Sequence, residues 1–108
     1  MLCAGSIVLP RATVGRGVLL NTKASIDHDC LIGDFVNIAP AATLGGEVRV
    51  GAETFIGPGA TVAAGISIGA RALIGAGAVV VREVPEDVTA WGVPARITSD
   101  RRPGSPRR

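Results

Sequence analysis

Aliphatic residues recur at every sixth position over most of the chain. The run begins at Val8 and ends at Val80, and no insertion interrupts it. A small or aliphatic residue lies two positions before each member, and glycine often follows directly after it. Because side chains two positions apart point to the same side of a strand, each hexad predicts one short strand with one buried face. The members are Val8, Val14, Leu20, Ile26, Ile32, Ile38, Leu44, Val50, Ile56, Val62, Ile68, Ile74 and Val80.

A period of six excludes a helix, which has 3.6 residues per turn, and indicates stacked coils instead. One hexad cannot bury its own apolar face, whereas coils of three hexads stacked on one another can. We therefore predict an all-β fold, a parallel β-helix of triangular section with about four coils, over residues 1–81. Residues 82–96 are expected to form a C-terminal cap segment. In it Trp91 would cover the open end of the core, with stacking on a ligand as the alternative role.

The composition fits a narrow core and excludes several classes of protein. Hydrophobic residues make up 47% of the chain and aromatic residues only 3%, so aliphatic side chains must fill the interior. The longest uncharged run, residues 54–70, contains four glycines and a proline, which excludes a membrane helix. No secretory signal is visible, and two cysteines cannot make a disulfide scaffold. These observations predict a cytoplasmic protein without a membrane partner.

The excess of positive charge is confined to the C-terminus. The chain has a net charge of +2, and residues 97–108 contain four arginines against one aspartate. This segment has no aromatic residue on which a base could stack, so nucleic acid is not an expected partner. We expect residues 97–108 to be a flexible basic tail.

His28 is the one histidine of the chain and the first candidate for chemistry. It follows the buried position Ile26 by two residues, which predicts an outward-facing turn, and Asp27 and Asp29 flank it. A neighbouring carboxylate can raise the basicity of an imidazole and fix its tautomer, so His28 is a candidate general base. The alternative is an ordinary surface histidine. One histidine cannot supply the three protein ligands of a catalytic zinc, so no metal is expected.

Three segments resemble one family of acetyltransferases. Asn21-Thr22, residues 26–40 and Gly92-Val93-Pro94-Ala95-Arg96 are similar to the sialic-acid O-acetyltransferases and UDP-4-amino-sugar N-acetyltransferases. The resemblance covers about three quarters of the chain and implies the left-handed form of the β-helix. It also implies a homotrimer that binds acetyl-CoA in the groove between adjacent subunits, without a metal.

The resemblance assigns roles to seven residues. By this comparison His28 is the general base, Asp29 its acidic partner and Gly46 the donor of a backbone N–H to the oxyanion. The repeat independently predicts that Gly46 lies one coil further along the chain than His28, on the same corner, because the two are three hexads apart. The positions that contact coenzyme A correspond to Asn37, Pro58 and Ala76. Asn21 matches a residue that orients the acceptor, with an ordinary turn asparagine as the alternative.

Two departures from the family leave the acceptor open. The sugar N-acetyltransferases often have a second histidine where this chain has Asn37, which cannot titrate. They also carry a sugar-binding domain before the β-helix, to which nothing here corresponds, so the sequence is either a fragment or holds its acceptor differently. The expected function is acetyl transfer to an amino or hydroxyl group of a nucleotide-linked sugar. The alternatives are a non-catalytic trimeric assembly module, or an amino acid or small alcohol as acceptor.

Overall fold

The hexads form a ladder of very short strands. A computed structural model describes residues 1–100, and in this range thirteen strands of two residues are followed by two longer ones. The strands are β1 Ile7–Val8, β2 Thr13–Val14, β3 Leu19–Leu20, β4 Ser25–Ile26, β5 Leu31–Ile32, β6 Asn37–Ile38, β7 Thr43–Leu44, β8 Arg49–Val50, β9 Phe55–Ile56, β10 Thr61–Val62, β11 Ser67–Ile68, β12 Leu73–Ile74, β13 Val79–Val80, β14 Val88–Gly92 and β15 Ala95–Asp100. Within residues 1–100 there is no helix long and apolar enough to cross a membrane.

Three sheets, parallel except for the last strand β15, enclose the core of a left-handed β-helix, which confirms the predicted fold. The five-stranded sheet has the order β1-β4-β7-β10-β13, the four-stranded sheet β2-β5-β8-β11 and the six-stranded sheet β3-β6-β9-β12-β14-β15. Strands pair with those one coil away, as in Ile26↔Leu44 and Ile32↔Val50. The prism has about five coils, one more than predicted, because the pairing continues past Val80.

The predicted aliphatic positions are the core. From Leu20 to Val80 each of them is at most 4% exposed, because every coil is covered on both sides. Val8 and Val14 lie in the first coil and are each 38% exposed, since no described coil covers them from below. Residues two positions earlier, such as Val36 and Val48, complete the interior. The register taken from the sequence is therefore confirmed.

The turns at the corners stack in columns, and this stacking builds the site described below. Residues such as Arg11, Asp29 and Glu47 occupy one column and share a left-handed backbone, with φ of 61°, 59° and 62°. The N–H of Glu47 donates to the carbonyl of His28 over 2.9 Å, and equivalent bonds join other coils. Side chains three hexads apart are consequently neighbours on the outer surface.

The segment predicted as a cap is a further coil, shortened by two residues. Val84 pairs with Ile68, and β14 pairs with β12 through Thr89↔Leu73, a spacing of 16 residues in both cases. The core is closed by Val84, Val88 and Ala90, all at most 6% exposed.

The prediction that Trp91 covers the core is wrong, because Trp91 follows the inward-facing Ala90 in an extended strand and so points outward. Trp91 is 56% exposed, packs across Gly75 and donates from Nε1 to Thr98 Oγ1 over 3.0 Å. Residues 97–100, predicted to belong to the flexible tail, instead form part of β15, which pairs antiparallel with β14. The remainder of that tail, residues 101–108, lies outside the described residues.

Candidate active site

His28 lies on the corner between the five-stranded and four-stranded sheets, here called the histidine corner (residues 9–12, 27–30, 45–48 and 63–66). The backbone N–H of His28 donates to Asp27 Oδ1 over 2.7 Å, which fixes the start of the turn. The inward residues Ile26 and Cys30 anchor the turn on both sides. The His28 side chain is 47% exposed and faces outward, as its position in the hexad predicts.

Asp29 holds one nitrogen of the imidazole. The distance from His28 Nδ1 to Asp29 Oδ2 is 3.0 Å. Hydrogen bonds from Arg11 and then from His28 lower the pKa of Asp29 to about 2, so the carboxylate is ionised at neutral pH. An ionised carboxylate can only accept, and the neutral imidazole therefore carries its proton on Nδ1. Its Nε2 is left with a free lone pair, as a general base requires.

Gly46 lies directly beneath the imidazole. A Cβ at this position would be 2.5 Å from His28 Nε2 and 2.7 Å from Cε1, so only glycine leaves room for the ring. The Gly46 N–H donates no hydrogen bond to any of residues 1–100. A basic nitrogen and a free backbone N–H thus occur together, which is the pair of groups that acyl transfer needs for proton removal and for the oxyanion.

Arg11 completes this cluster and was missed in the sequence. Its Nε donates to Asp29 Oδ1 over 2.8 Å and its Nη2 to Asp29 Oδ2 over 3.0 Å. Arg11 lies three hexads before Asp29, so the same arithmetic that connects His28 with Gly46 could have identified it.

A shallow groove runs from Asp29 across the four-stranded sheet, with a volume of about 540 Å³. Arg49 in this groove has no acidic partner among the described residues, unlike Arg11. The side chains that line it are those of Arg11, Asp29, Leu31, Glu47, Arg49 and Ser67. It is a polar, open surface that begins at Asp29, the partner of His28.

The other predicted site residues lie elsewhere on the chain. Pro58 and Ala76 stack in adjacent coils on the corner between the six-stranded and five-stranded sheets, here called the proline corner (residues 21–24, 39–42, 57–60 and 75–78). Asn37 is half-buried and faces outward from β6. Asn21 begins the proline corner, and its Oδ1 accepts from the N–H of Thr22 over 2.8 Å. Within one chain His28, Asp29 and Gly46 therefore lie together, whereas Asn21, Asn37, Pro58 and Ala76 are not part of that cluster.

The described residues include no group of three His, Cys, Asp or Glu side chains that could hold a metal ion. Cys30, the cysteine nearest to His28 in sequence, faces the interior and donates from Sγ to the carbonyl of Gly45 over 3.2 Å. Burial raises the pKa of this thiol and so disfavours the thiolate that a nucleophile or a metal ligand needs.

Comparison with known proteins gives two kinds of match. Residues 47–82 match the family described as bacterial transferase hexapeptide (six repeats). The fold is similar to the acetyltransferase domain of PglB from Neisseria gonorrhoeae in complex with acetyl coenzyme A, with a TM-score of 0.85, 41% identity and coverage of 87% of this chain. For PerB from Caulobacter crescentus, in complex with CoA and GDP-perosamine, the TM-score is 0.76 and the identity 39%, over 86% of this chain. For serine acetyltransferase from Neisseria gonorrhoeae, the TM-score is 0.86 and the identity 32%, over 91% of this chain.

The chain spans about half the length of these relatives. The matched region amounts to 46% of the PglB domain structure, 54% of PerB and 42% of the serine acetyltransferase. The names of two of them point to different small molecules, GDP-perosamine for PerB and serine for the serine acetyltransferase.

Proposed function

Because the chain carries the hexapeptide repeat of bacterial transferases in a left-handed β-helix, we propose that it is an acetyl-CoA-dependent acetyltransferase with His28 as general base. The observation that carries this proposal is the arrangement of His28 above Gly46, with Nδ1 held by Asp29. An ordinary surface histidine needs neither a fixed tautomer nor a glycine beneath its ring. The acetyl coenzyme A bound to the PglB domain supports the same cosubstrate for this chain.

The proposed reaction is a direct transfer. Nε2 of His28 takes the proton from the acceptor's amino or hydroxyl group while its nitrogen or oxygen attacks the thioester carbonyl carbon. The Gly46 N–H donates to the oxygen that becomes negatively charged. When the tetrahedral species collapses, the carbon–sulfur bond breaks and the sulfur of coenzyme A receives the proton from the imidazolium. Asp29 stabilises the imidazolium between these two proton transfers.

A homotrimer is part of the proposal, because the candidate residues lie on different parts of the chain. His28 is on the histidine corner, whereas Pro58 and Ala76 are on the proline corner. Packing the histidine corner of one subunit near the proline corner of the next would form a groove between copies. Coenzyme A could then contact Asn37, Pro58 and Ala76 of one subunit and present its thioester to His28 of the other.

For the acceptor we propose a sugar linked to a nucleotide, and for the enzyme a cytoplasmic location. GDP-perosamine in the complex of PerB supports this class of acceptor, whereas the serine acetyltransferase supports an amino acid instead. The polar groove beside Asp29 suits either, since Arg49 can pair with a phosphate or a carboxylate. Asn21, if it has a role beyond its turn, would contact the acceptor.

The test combines calorimetric titration with acetyl-CoA and measurement of the mass by light scattering. We expect one site per chain on a trimer. Transfer is then measured by release of the coenzyme A thiol with nucleotide amino sugars, unlinked sugars and serine as acceptors. His28→Ala should lower turnover by at least about a hundredfold and leave acetyl-CoA affinity within about twofold, because the base is not a binding group.

A stable trimer that does not bind acetyl-CoA would overturn the proposal and favour a structural assembly module. Turnover by His28→Ala near that of the unsubstituted protein would exclude the histidine as the base. Preference for serine over every sugar would correct the acceptor class and leave the reaction type intact.

A further inference from the structure

Arg11 is the one described side chain that pairs with the carboxylate holding His28. Its guanidinium makes two parallel hydrogen bonds to Asp29, of 2.8 and 3.0 Å, from the coil before. Oδ2 of Asp29 accepts from Arg11 Nη2 and lies 3.0 Å from His28 Nδ1. One oxygen therefore joins the guanidinium to the imidazole.

We propose that Arg11 is a positioning residue that fixes the orientation of Asp29 and, through it, the tautomer of His28. The structural part of this proposal stands by itself, and its consequence for turnover rests on the proposed function. A bidentate pair of hydrogen bonds from a guanidinium defines the plane of a carboxylate, which a single hydrogen bond does not. With the plane defined, Oδ2 stays directed at Nδ1 and Nε2 stays unprotonated.

Exposure makes this control necessary. The Asp29 side chain is 36% exposed and that of Arg11 71%, so water competes for every bond in the cluster. A lone exposed aspartate would rotate among several rotamers and leave the imidazole free to exchange tautomers. Surface ion pairs contribute little to stability, so the pairing of Arg11 has more effect on geometry than on the stability of the fold.

The same chain contains a matched clamp without a histidine. Arg71 donates from Nε to Asp87 Oδ1 over 2.8 Å and from Nη2 to Oδ2 over 3.1 Å, also between consecutive coils, and its Nη2 makes a longer contact of 3.5 Å to Glu86 Oε2. Glu86 stands before Asp87 where His28 stands before Asp29. If such clamps only join coils, replacing Arg71 should affect the imidazole of His28 as much as replacing Arg11. If Arg11 acts on the imidazole, only its replacement should alter the histidine.

The test is nitrogen NMR of protein labelled with ¹⁵N-histidine, made without a histidine tag. His28 is the one histidine in the sequence, so its ring signals need no assignment. In the unsubstituted protein at pH 8, we expect the Nδ1–H tautomer to dominate. Arg11→Gln should shift the tautomer ratio toward Nε2–H by about threefold or more, with Arg11→Lys intermediate, while Arg71→Gln should leave it unchanged.

An unchanged ratio in Arg11→Gln would overturn the proposal, and so would an equal shift in Arg71→Gln, which would indicate general loosening of the coils. Circular dichroism of each variant establishes that the β-helix has formed. These readouts need no activity, so they separate this proposal from the proposed function.

Where transfer is measurable, Arg11→Gln should lower kcat about tenfold and leave KM for acetyl-CoA within about twofold. Loss of kcat to the same extent in Arg71→Gln would count against a specific role for Arg11.

Discussion

At the scale of single residues, the candidate site depends on one glycine as much as on the histidine. The imidazole of His28 occupies the space that a side chain at position 46 would fill. The backbone of Gly46 is not left-handed, unlike that of Gly59 or Gly65, and the three atoms nearest to an alanine Cβ there all belong to the imidazole. Position 46 can therefore be altered to move the base without straining the main chain.

We expect Gly46→Ala to displace the imidazole and lower kcat about tenfold to a hundredfold, with little change in the melting temperature. The measurement is steady-state kinetics together with thermal denaturation. Gly59→Ala is the contrasting variant, because a Cβ there meets nothing within 4 Å and its φ of 68° places the cost on the main chain, and so on the melting temperature. Full activity in Gly46→Ala would mean that the ring is not required where the structure has it.

Much of this cluster could be predicted from the sequence. The hexad places His28 and Asp29 in an outward turn, and the coil spacing brings Gly46 beneath the ring. Arg11 follows from the same spacing, but an exposed arginine has many available partners and only the coordinates select Asp29. The proposed relation of His28 to Pro58 and Ala76 could not be derived, because the two corners are apart in one chain and the proposal places the groove between copies.

At the scale of the elements, a polar side chain is buried in an otherwise aliphatic core. Thr54 is 1% exposed and occupies the position two residues before Ile56. Its Oγ1 donates to the carbonyl of Gly69 over 2.7 Å and accepts from the N–H of Ala72 over 3.2 Å. The hydroxyl therefore satisfies two backbone groups in the next turn, which the alternation of residue types alone does not reveal.

Thr54→Val should lower the free energy of unfolding by about 1–3 kcal/mol, because valine keeps the volume and leaves both backbone groups unpaired. Urea denaturation followed by circular dichroism measures the change. Thr61→Val, on the exposed side of β10, is the control and should change stability by less than about 0.5 kcal/mol. Equal stability of Thr54→Val and the unsubstituted protein would show that water replaces the hydroxyl.

The last coil is the element that sequence reasoning described least well. The six-residue period ends at Val80, and the following turn is two residues shorter, so Val84 and Ala90 fall outside the pattern. A search for the fixed period cannot find a coil of a different length. Trp91, predicted to cover the open end of the core, faces outward because it follows the inward-facing Ala90 of this shortened coil.

At the scale of the whole molecule, the two ends of the prism are built differently. At the C-terminal end, β15 covers β14 and Trp91 is hydrogen bonded to Thr98. At the other end, Met1, Leu2 and Val8 are exposed to between 38% and 83% of their surface. Stability contributed by β15 can therefore be tested separately from the hexads.

Truncation after Arg96 removes most of β15 and should lower the melting temperature by several degrees, since β14 loses its antiparallel partner. Truncation after Asp100 is the control, because it keeps every contact described for β15. The measurement is thermal denaturation of both proteins. Equal melting temperatures would show that the hairpin adds nothing to the stability of the β-helix.

The reversed direction of β15 also bears on aggregation. The coils of the six-stranded sheet are joined by parallel pairs of strands. The last strand, β15, runs antiparallel to the others, so a second copy could not continue the same parallel stacking at β15. The irregular register between Thr89 and Ala90 further disturbs this edge of the sheet. We therefore expect the hairpin to disfavour growth into fibrils from this end of the solenoid.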